Sequence, residues 1–201
     1  MNETKIQLSA EELQLVQNAG WVLTKNTIIQ KVYGLFGKLS EEIKTALPPA
    51  YLPGEILQAT PKISRGENYK GLPYVMLDYP RFFTRDDVFA IRGFFWWGNY
   101  FSVTLHLKGV YKEMFIPVIS ANMALLAENN FCACISADEW QHKLDEDHYT
   151  PLHGMDSKEF NRICVQEPFL KLSAKIALDQ WNESEMLLAN LCRVLLLAIQ
   201  R

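Results

Sequence analysis

Hydrophobic and polar positions in the first quarter of the chain follow helical spacing. Ser9 and Glu12 form a capping box, and an apolar stripe continues beyond it. A second helical pattern follows and ends at a pair of prolines. Gly34 and Gly37 in its middle predict a break or a kink before Ser40. The pattern therefore predicts an N-terminal helical part over residues 9–47.

The spacing changes to that of β-strands after a long polar connection, residues 51–70. Five segments have strand patterns: 72–79, 88–97, 100–108, 131–136 and 169–178. Two further helices are predicted at residues 110–128 and, after a capping box at Asn182 and Glu185, at residues 183–200. Strands without regular helical crossovers favour an antiparallel sheet. We expect an α+β fold with a mostly antiparallel sheet of about five strands, packed against N-terminal and C-terminal helices.

The length of 201 residues suits one large domain. We therefore predict a single globular α+β domain over residues 1–201, in which the sheet-containing part covers residues 70–201. A chain of this size buries enough surface to fold without a disulfide or a metal ion.

A β-hairpin is predicted at the centre of the sheet, over residues 88–97 and 100–108. Half of the aromatic residues of the chain, 12 of 24, lie between Tyr69 and Phe101. Aromatic side chains carry the largest apolar area per residue, so this hairpin dominates either the core or a binding surface.

A two-residue turn at Gly98 and Asn99 predicts the register, with Trp97 opposite Tyr100. Side chains alternate along each strand, which sorts the hairpin onto two faces. The predicted core face holds Ala90, Arg92, Phe94, Trp96, Phe101, Val103, Leu105 and Leu107. The other, the predicted polar-aromatic face, holds Phe89, Ile91, Gly93, Phe95, Trp97, Tyr100, Ser102, Thr104, His106 and Lys108.

The polar-aromatic face has two interpretations. A central hairpin covered on both sides needs no ligand. Large aromatics beside small hydroxyls and a histidine are also typical of the wall of a ligand pocket. The candidate ligand-binding residues on this face are Phe95, Trp97, Tyr100, Ser102, Thr104 and His106, with Arg65, Arg81 and Arg85 at its rim.

Two features favour an enzyme as the alternative. His106 is the one histidine in a predicted strand, and a general base is a common use of that side chain. The segment 142–153 combines three histidines with two aspartates and a glutamate. Its spacing matches no metal signature, and no nucleophile motif is present. We therefore predict no metal and no cofactor, with no catalytic residue assigned.

Charge and cysteine content limit the classes of partner and the cellular compartment that we expect. The net charge is −3, although residues 62–112 carry eight basic and four acidic side chains. The absence of a nucleic-acid motif argues against nucleic acid as a partner. Four cysteines fit a reducing compartment, no apolar run is long enough to span a membrane, and no secretory signal is present. The sequence therefore predicts a cytoplasmic protein.

The last helix has a wider apolar arc than a surface helix needs. Either it is buried across the sheet, or part of it forms a homodimer contact. We expect the protein to be a non-catalytic domain that binds a small ligand or a protein partner through the polar-aromatic face. The alternative is an enzyme of hydrolase type that uses His106 or the 142–153 loop.

Overall fold

Seven antiparallel strands form one sheet in the computed structural model, which describes residues 6–47 and 49–200. The strands are β1 Lys62–Tyr69, β2 Leu72–Phe83, β3 Val88–Trp96, β4 Tyr100–Lys108, β5 Cys132–Cys134, β6 Tyr149–Pro151 and β7 Phe169–Ala177. Their order across the sheet is β1-β2-β3-β4-β7-β5-β6. The predicted α+β class and antiparallel sheet are confirmed, with seven strands in place of about five.

The two additional strands lie at the edges of the sheet. β1 falls in the segment that we predicted to be a connection, and β6 in the predicted loop at residues 142–153. An edge strand has solvent on one side, so it needs little apolar character and gives a weak sequence signal. β6 has only three residues, too few to show an alternating pattern.

Helices precede, interrupt and follow the sheet. They are α1 Ala10–Gln17, α2 Ala19–Ala46, α3 Gly54–Leu57, α4 Val110–Ala121, α5 Met123–Glu128, α6 Ser157–Gln166 and α7 Ser184–Ala198. A 3-10 helix, Leu178–Glu183, joins β7 to α7. None of the helices in the described ranges is both long and apolar enough to cross a membrane.

The capping box at Ser9 and Glu12 is present, but the break predicted in the second helix is wrong. α2 runs unbroken through Gly34 and Gly37. Its buried apolar residues recur at helical spacing and pack on the sheet: Ile29, Val32, Phe36, Leu39 and Ile43. Packing of that stripe offsets the low helix propensity of the two glycines.

α7 lies in the core together with α2, on the same face of the sheet. The capping box that we predicted at Asn182 and Glu185 is wrong, because Asn182 lies within the 3-10 helix and α7, which includes Glu185 in its first turn, has no side-chain cap. The large apolar side chains of α7 that remain exposed are Met186 and Leu197. Its wide apolar arc therefore reflects central burial.

The register of the central hairpin differs from the prediction by one residue. Trp96, not Trp97, lies opposite Tyr100, because residues 97–99 form a three-residue connection. The Asn99 amide donates to the Trp96 carbonyl at 3.0 Å, and Gly98 takes a positive φ of 71°. A glycine adopts this conformation without strain, and the sequence fits either turn.

A one-residue shift moves every side chain of one strand to the opposite face. The faces predicted for β4 are correct, but those predicted for β3 are exchanged. The helix-side face carries Phe89, Ile91, Gly93, Phe95, Phe101, Val103, Leu105 and Leu107. The opposite, loop-side face carries Ala90, Arg92, Phe94, Trp96, Tyr100, Ser102, Thr104 and His106.

Candidate functional site

The loop-side face is buried beneath the connection between β5 and β6, residues 135–148, which we call the cover segment. Tyr100, Ser102, Thr104 and His106 are all buried there. Their common face agrees with the prediction, but they line no open pocket. The candidate surface is an interior polar layer.

Phe95 and Trp97 do not belong to this layer, which corrects their predicted position. Phe95 is buried on the helix side, where its ring contacts Phe101 and Trp181. Trp97 is half-buried on the same side and packs edge-on against Phe95. The structure therefore separates these two candidates from the four on β4.

Tyrosine hydroxyls hold the cover segment on the sheet. The Tyr100 hydroxyl donates to the His142 carbonyl at 3.0 Å and accepts from the Leu144 amide at 2.8 Å. The Tyr69 hydroxyl accepts from the His142 amide at 2.8 Å and donates to the Gln141 side chain at 2.8 Å. These bonds satisfy backbone groups that burial would otherwise leave unpaired.

A buried ion pair lies in the same layer. The Arg92 Nε donates to the Asp78 carboxylate at 2.7 Å, and both side chains are buried. The Arg92 guanidinium lies 5.9 Å from the centre of the Phe83 ring and 5.8 Å from that of Trp140. Burial of a charge is costly unless it is paired, and this geometry supplies both a counter-charge and cation–π contacts.

His106 is the most unusual group of the layer, because only 1% of its surface is exposed. Its ring packs edge-on against Trp140 and Phe169. Neither ring nitrogen has a hydrogen-bond partner within the described chain, and Nε2 lies 3.5 Å from the Glu139 carboxylate. Burial, followed by the charges of Lys171, Arg92 and Lys108, lowers the pKa of His106 to about 2. The ring is therefore neutral at physiological pH.

Lys171 extends from β7 into the layer and is fully buried. Its ammonium donates to the backbone carbonyls of Glu139, at 3.0 Å, and of Gln141. Burial lowers the pKa of Lys171 to about 8. Thr104 and Ser173 bond to each other at 2.8 Å through their hydroxyls. The polar side of β7 is thus interior at Lys171 and Ser173 and exposed at Lys175.

A cleft of about 440 Å³ opens beside the layer, where the end of the cover segment meets the edge of the sheet formed by β7, β5 and β6. It is lined by Asn130, Phe131, Cys132, Leu144, Asp145, Glu146, Tyr149, Pro151, His153 and Lys175. The ring of Tyr149 and the side chain of Leu144 belong to both the cleft and the buried layer. This volume lies in the range of small-molecule sites.

The charged groups at the cleft differ in how many partners they have. Hydrogen bonds from Lys143 and His148 lower the pKa of Asp145 to about 2, so this carboxylate is ionised and already has two partners. The Lys175 ammonium lies 5.8 Å from the centre of the Tyr100 ring and 3.4 Å from the Leu144 carbonyl. Burial raises the pKa of the Cys132 thiol, which keeps it protonated.

The three arginines predicted at the rim lie elsewhere. Arg65 is exposed on the edge strand β1, and Arg85 is exposed in the connection between β2 and β3. The Arg81 Nε donates to the Thr60 carbonyl at 3.2 Å. None of the three lines the cleft.

The three histidines of residues 142–153 lie in different environments and do not form one site. His142 is buried beside Arg92, His148 pairs with Asp145, and His153 lies at the cleft. Burial lowers the pKa of His142 well below its usual value, followed by the charges of Lys171 and Arg92. No three His, Cys, Asp or Glu side chains of residues 6–47 and 49–200 meet in a geometry that could hold a metal.

Sequence reasoning missed the polar groups that strands far apart in the chain bring together: Asp78, Glu139 and Lys171. Arg92 was the one charge on the predicted core face, and this was the available signal of a buried pair. Comparison of the chain with protein-family models, with curated proteins and with solved structures gave no match.

Proposed function

We propose that the protein is a non-catalytic domain that binds a small molecule, and that the ligand occupies the cleft lined by β5, β6, β7 and the end of the cover segment. The observation that carries the proposal is the cleft itself, of about 440 Å³, whose lining combines apolar side chains with the charged groups of Asp145, Glu146 and Lys175. Pockets of this volume that combine apolar walls with a few polar groups are typical of small-molecule sites.

The lining indicates an amphipathic ligand with one anionic group. Leu144 and Pro151 offer apolar contacts, with the buried ring of Phe131 behind them. Lys175 is the cation of the lining, and its contacts are an aromatic ring and a carbonyl at 3.4 Å. A ligand carboxylate would give this ammonium a charge-assisted hydrogen bond. The Asp145 carboxylate is a weaker candidate for a ligand contact, because Lys143 and His148 already bond to it.

The buried layer supports the proposal by fixing one wall of the cleft. Leu144 is held through its amide by the Tyr100 hydroxyl, and the Tyr149 hydroxyl donates to the Gln141 carbonyl at 2.9 Å. A wall fixed before binding costs little ordering entropy when the ligand arrives. In this proposal Tyr100 supports the site from behind, while Ser102, Thr104 and His106 belong to the interior.

The experiment is a screen of small aromatic carboxylates and their neutral amides by ligand-observed NMR. We expect the carboxylates to bind more tightly. Cys132→Phe, which fills the cleft, should abolish binding, whereas Cys132→Ser, which keeps its volume, should not. Lys175→Met should weaken the carboxylates roughly ten- to a hundredfold, the value of a hydrogen bond to a charged group. Lys175→Met should change the affinity of the neutral amide ligands little.

Fragments that bind equally well to wild type and Cys132→Phe would contradict this location. Another concavity, of about 390 Å³ and lined by Lys31, Lys38 and Trp181 among others, would then be the stronger candidate. Circular dichroism of each variant shows whether the fold is retained.

The alternative, an enzyme of hydrolase type, has one supporting observation, the 3.5 Å approach of His106 to Glu139. A substrate would reach His106 only if the cover segment moved away. Hydrolysis of a panel of esters and amides by wild type, but not by His106→Phe, would favour the enzyme. A location in the cytoplasm and a protein partner stay predictions; the four cysteines, all free thiols, support the former.

A homodimer through α7 also stays a prediction. Its exposed apolar side chains are Met186 and Leu197, which offer a small surface. Light scattering of Leu197→Asp beside wild type tests it.

A further inference from the structure

The first described residues of the chain form a projection, residues 6–28, which we call the N-terminal arm. It comprises α1 and the first turns of α2. The first buried residue of α2 is Ile29. At the base of the arm, Lys25 forms an ion pair with Glu67 of β1. The arm therefore leaves the body of the protein as a helical extension.

The surface of the arm is more apolar than that of the rest of the molecule. Eight of the seventeen large apolar side chains exposed in residues 6–47 and 49–200 lie on it: Ile6, Leu8, Leu13, Leu15, Val16, Trp21, Val22 and Leu23. Single exposed apolar residues are ordinary, but contiguous ones mark an interaction site.

The helical structure of the arm points to a packing partner. α1 has eight residues, and none is buried against the rest of the described chain. Isolated helices of this length are marginal in water, and most helical stability in proteins comes from packing of an apolar face. The capping box of Ser9 and Glu12 and the Asn18 cap of α2 add local support but bury no apolar surface.

The charges of the arm narrow the choice of partner. The charged residues of the arm are Glu11, Glu12 and Lys25, and Lys25 is already paired with Glu67. Helices that lie on a membrane surface are rich in Lys and Arg, whereas the arm has this one lysine and no arginine. Depletion of charged residues, with an exposed tryptophan, is instead typical of the core of a protein–protein interface.

We propose that the N-terminal arm pairs with the arm of a second copy of this chain and forms a homodimer. Eight large side chains, most of them about half exposed or more, offer each partner a surface on the order of the ~800 Å² that a standard interface buries. In a two-fold symmetric contact the same patch serves both copies, so one self-complementary helical surface completes the interface. The exposed side chains of α1 and of early α2 then enter a shared helical core.

Sedimentation equilibrium of the full-length chain tests the proposal, at concentrations up to about 1 mM, where even weak specific association is visible. We expect a monomer–dimer equilibrium. Val16→Asp should raise the dimer dissociation constant roughly tenfold or more, because it places a charge in the apolar contact. Val165→Asp on α6 is the matched control, since Val165 is 83% exposed and Val16 is 70% exposed, and it should leave the constant unchanged.

Hydrogen exchange provides a second measurement on the same proteins. The amides of α1 should be protected in the dimer and lose that protection in Val16→Asp, while the amides of β3 and β4 stay protected in both. Circular dichroism tests whether the variants remain folded, which we expect because both positions are exposed.

Three results would overturn the proposal. One is a monomer over the whole concentration range, including the case in which the arm binds only a different protein. Another is a dimer that Val16→Asp leaves intact. The third is a dimer that Leu197→Asp dissociates and Val16→Asp does not, which would assign the contact to α7.

Discussion

The two faces of the central hairpin are both buried, but they are held by different interactions. The helix-side face packs apolar side chains against α2, α4 and α7. The loop-side face carries an ion pair, a neutral histidine and tyrosine hydroxyls beneath a segment with little regular structure. The same two strands therefore supply an apolar core on one side and a polar layer on the other.

The difference follows from what covers each face. A helix satisfies its own backbone hydrogen bonds, so the sheet beneath it need offer only apolar contacts. An irregular segment leaves amides and carbonyls unpaired, and the sheet beneath it must supply donors and acceptors. Tyr69, Tyr100 and Lys171 have this role here. On this account, substitutions on the loop-side face should be sensitive to charge and pH, and those on the helix-side face should not.

The largest expected effect comes from the buried ion pair. Arg92→Met leaves the Asp78 carboxylate buried without its partner, which should cost about 3–5 kcal/mol in the free energy of unfolding. Urea denaturation near pH 7 measures the loss. Because the cost lies mainly in the unpaired charge, the double variant Asp78→Asn/Arg92→Met should recover part of it.

Phe101→Ala is the matched substitution on the helix-side face. It should cost a similar amount, about 3–5 kcal/mol, through loss of packing. An Arg92→Met variant that loses less than about 1 kcal/mol would show that Asp78 reaches solvent, and the contrast between the faces would then fail.

The next effect concerns pH. Because the folded-state pKa of His106 is about 2, the unfolded chain takes up a proton near its ordinary pKa before the folded chain does. The stability that a neutral His106 provides is present above about pH 6.5 and is lost as the pH falls. Near pH 4.5 the loss from this ring should be about 3 kcal/mol, and His142 should add to it.

His106→Phe removes the titrating group and keeps a planar ring against Trp140 and Phe169. The difference in unfolding free energy between pH 7 and about pH 4.5 should shrink by about 3 kcal/mol relative to wild type. Phe101→Ala should leave the pH dependence unchanged. Equal pH slopes in wild type and His106→Phe would show that the ring is protonated in the folded state.

The smallest expected effect comes from one hydroxyl. Tyr100→Phe removes two hydrogen bonds to the cover segment and should cost about 1–2 kcal/mol, with faster amide exchange at Leu144. Tyr74→Phe is the control, because its ring packs in the same cluster while its hydroxyl makes no hydrogen bond to the described residues. If both variants lose the same stability, packing rather than hydrogen bonding holds the segment.

Several elements could be predicted from local pattern. β7 and the strands of the hairpin fall within two residues of their predicted bounds, since their apolar runs are long. β1 and α6 were missed. β1 is a polar edge strand, and in α6 the three buried residues Phe160, Ile163 and Cys164 stand within a mostly polar segment. The candidate site was predicted in part. Tyr100, Ser102, Thr104 and His106 share one face of the hairpin, as predicted, whereas Phe95 and Trp97 lie on the other face.

The sequence by itself determined the α+β class, the antiparallel hairpin and the face to which each residue of β4 belongs, because alternation within a strand is a local property. Only the tertiary structure decided which side chains of β3 share a face of the sheet with those of β4. Residues 97–99 fit two turns that differ by one residue, and the choice depends on contacts with α2 and the cover segment. Tertiary structure likewise made the aromatic hairpin an interior wall and placed the cleft at its side. That cleft is formed by residues from three stretches of the sequence, 130–132, 144–153 and Lys175, and no local pattern records their approach.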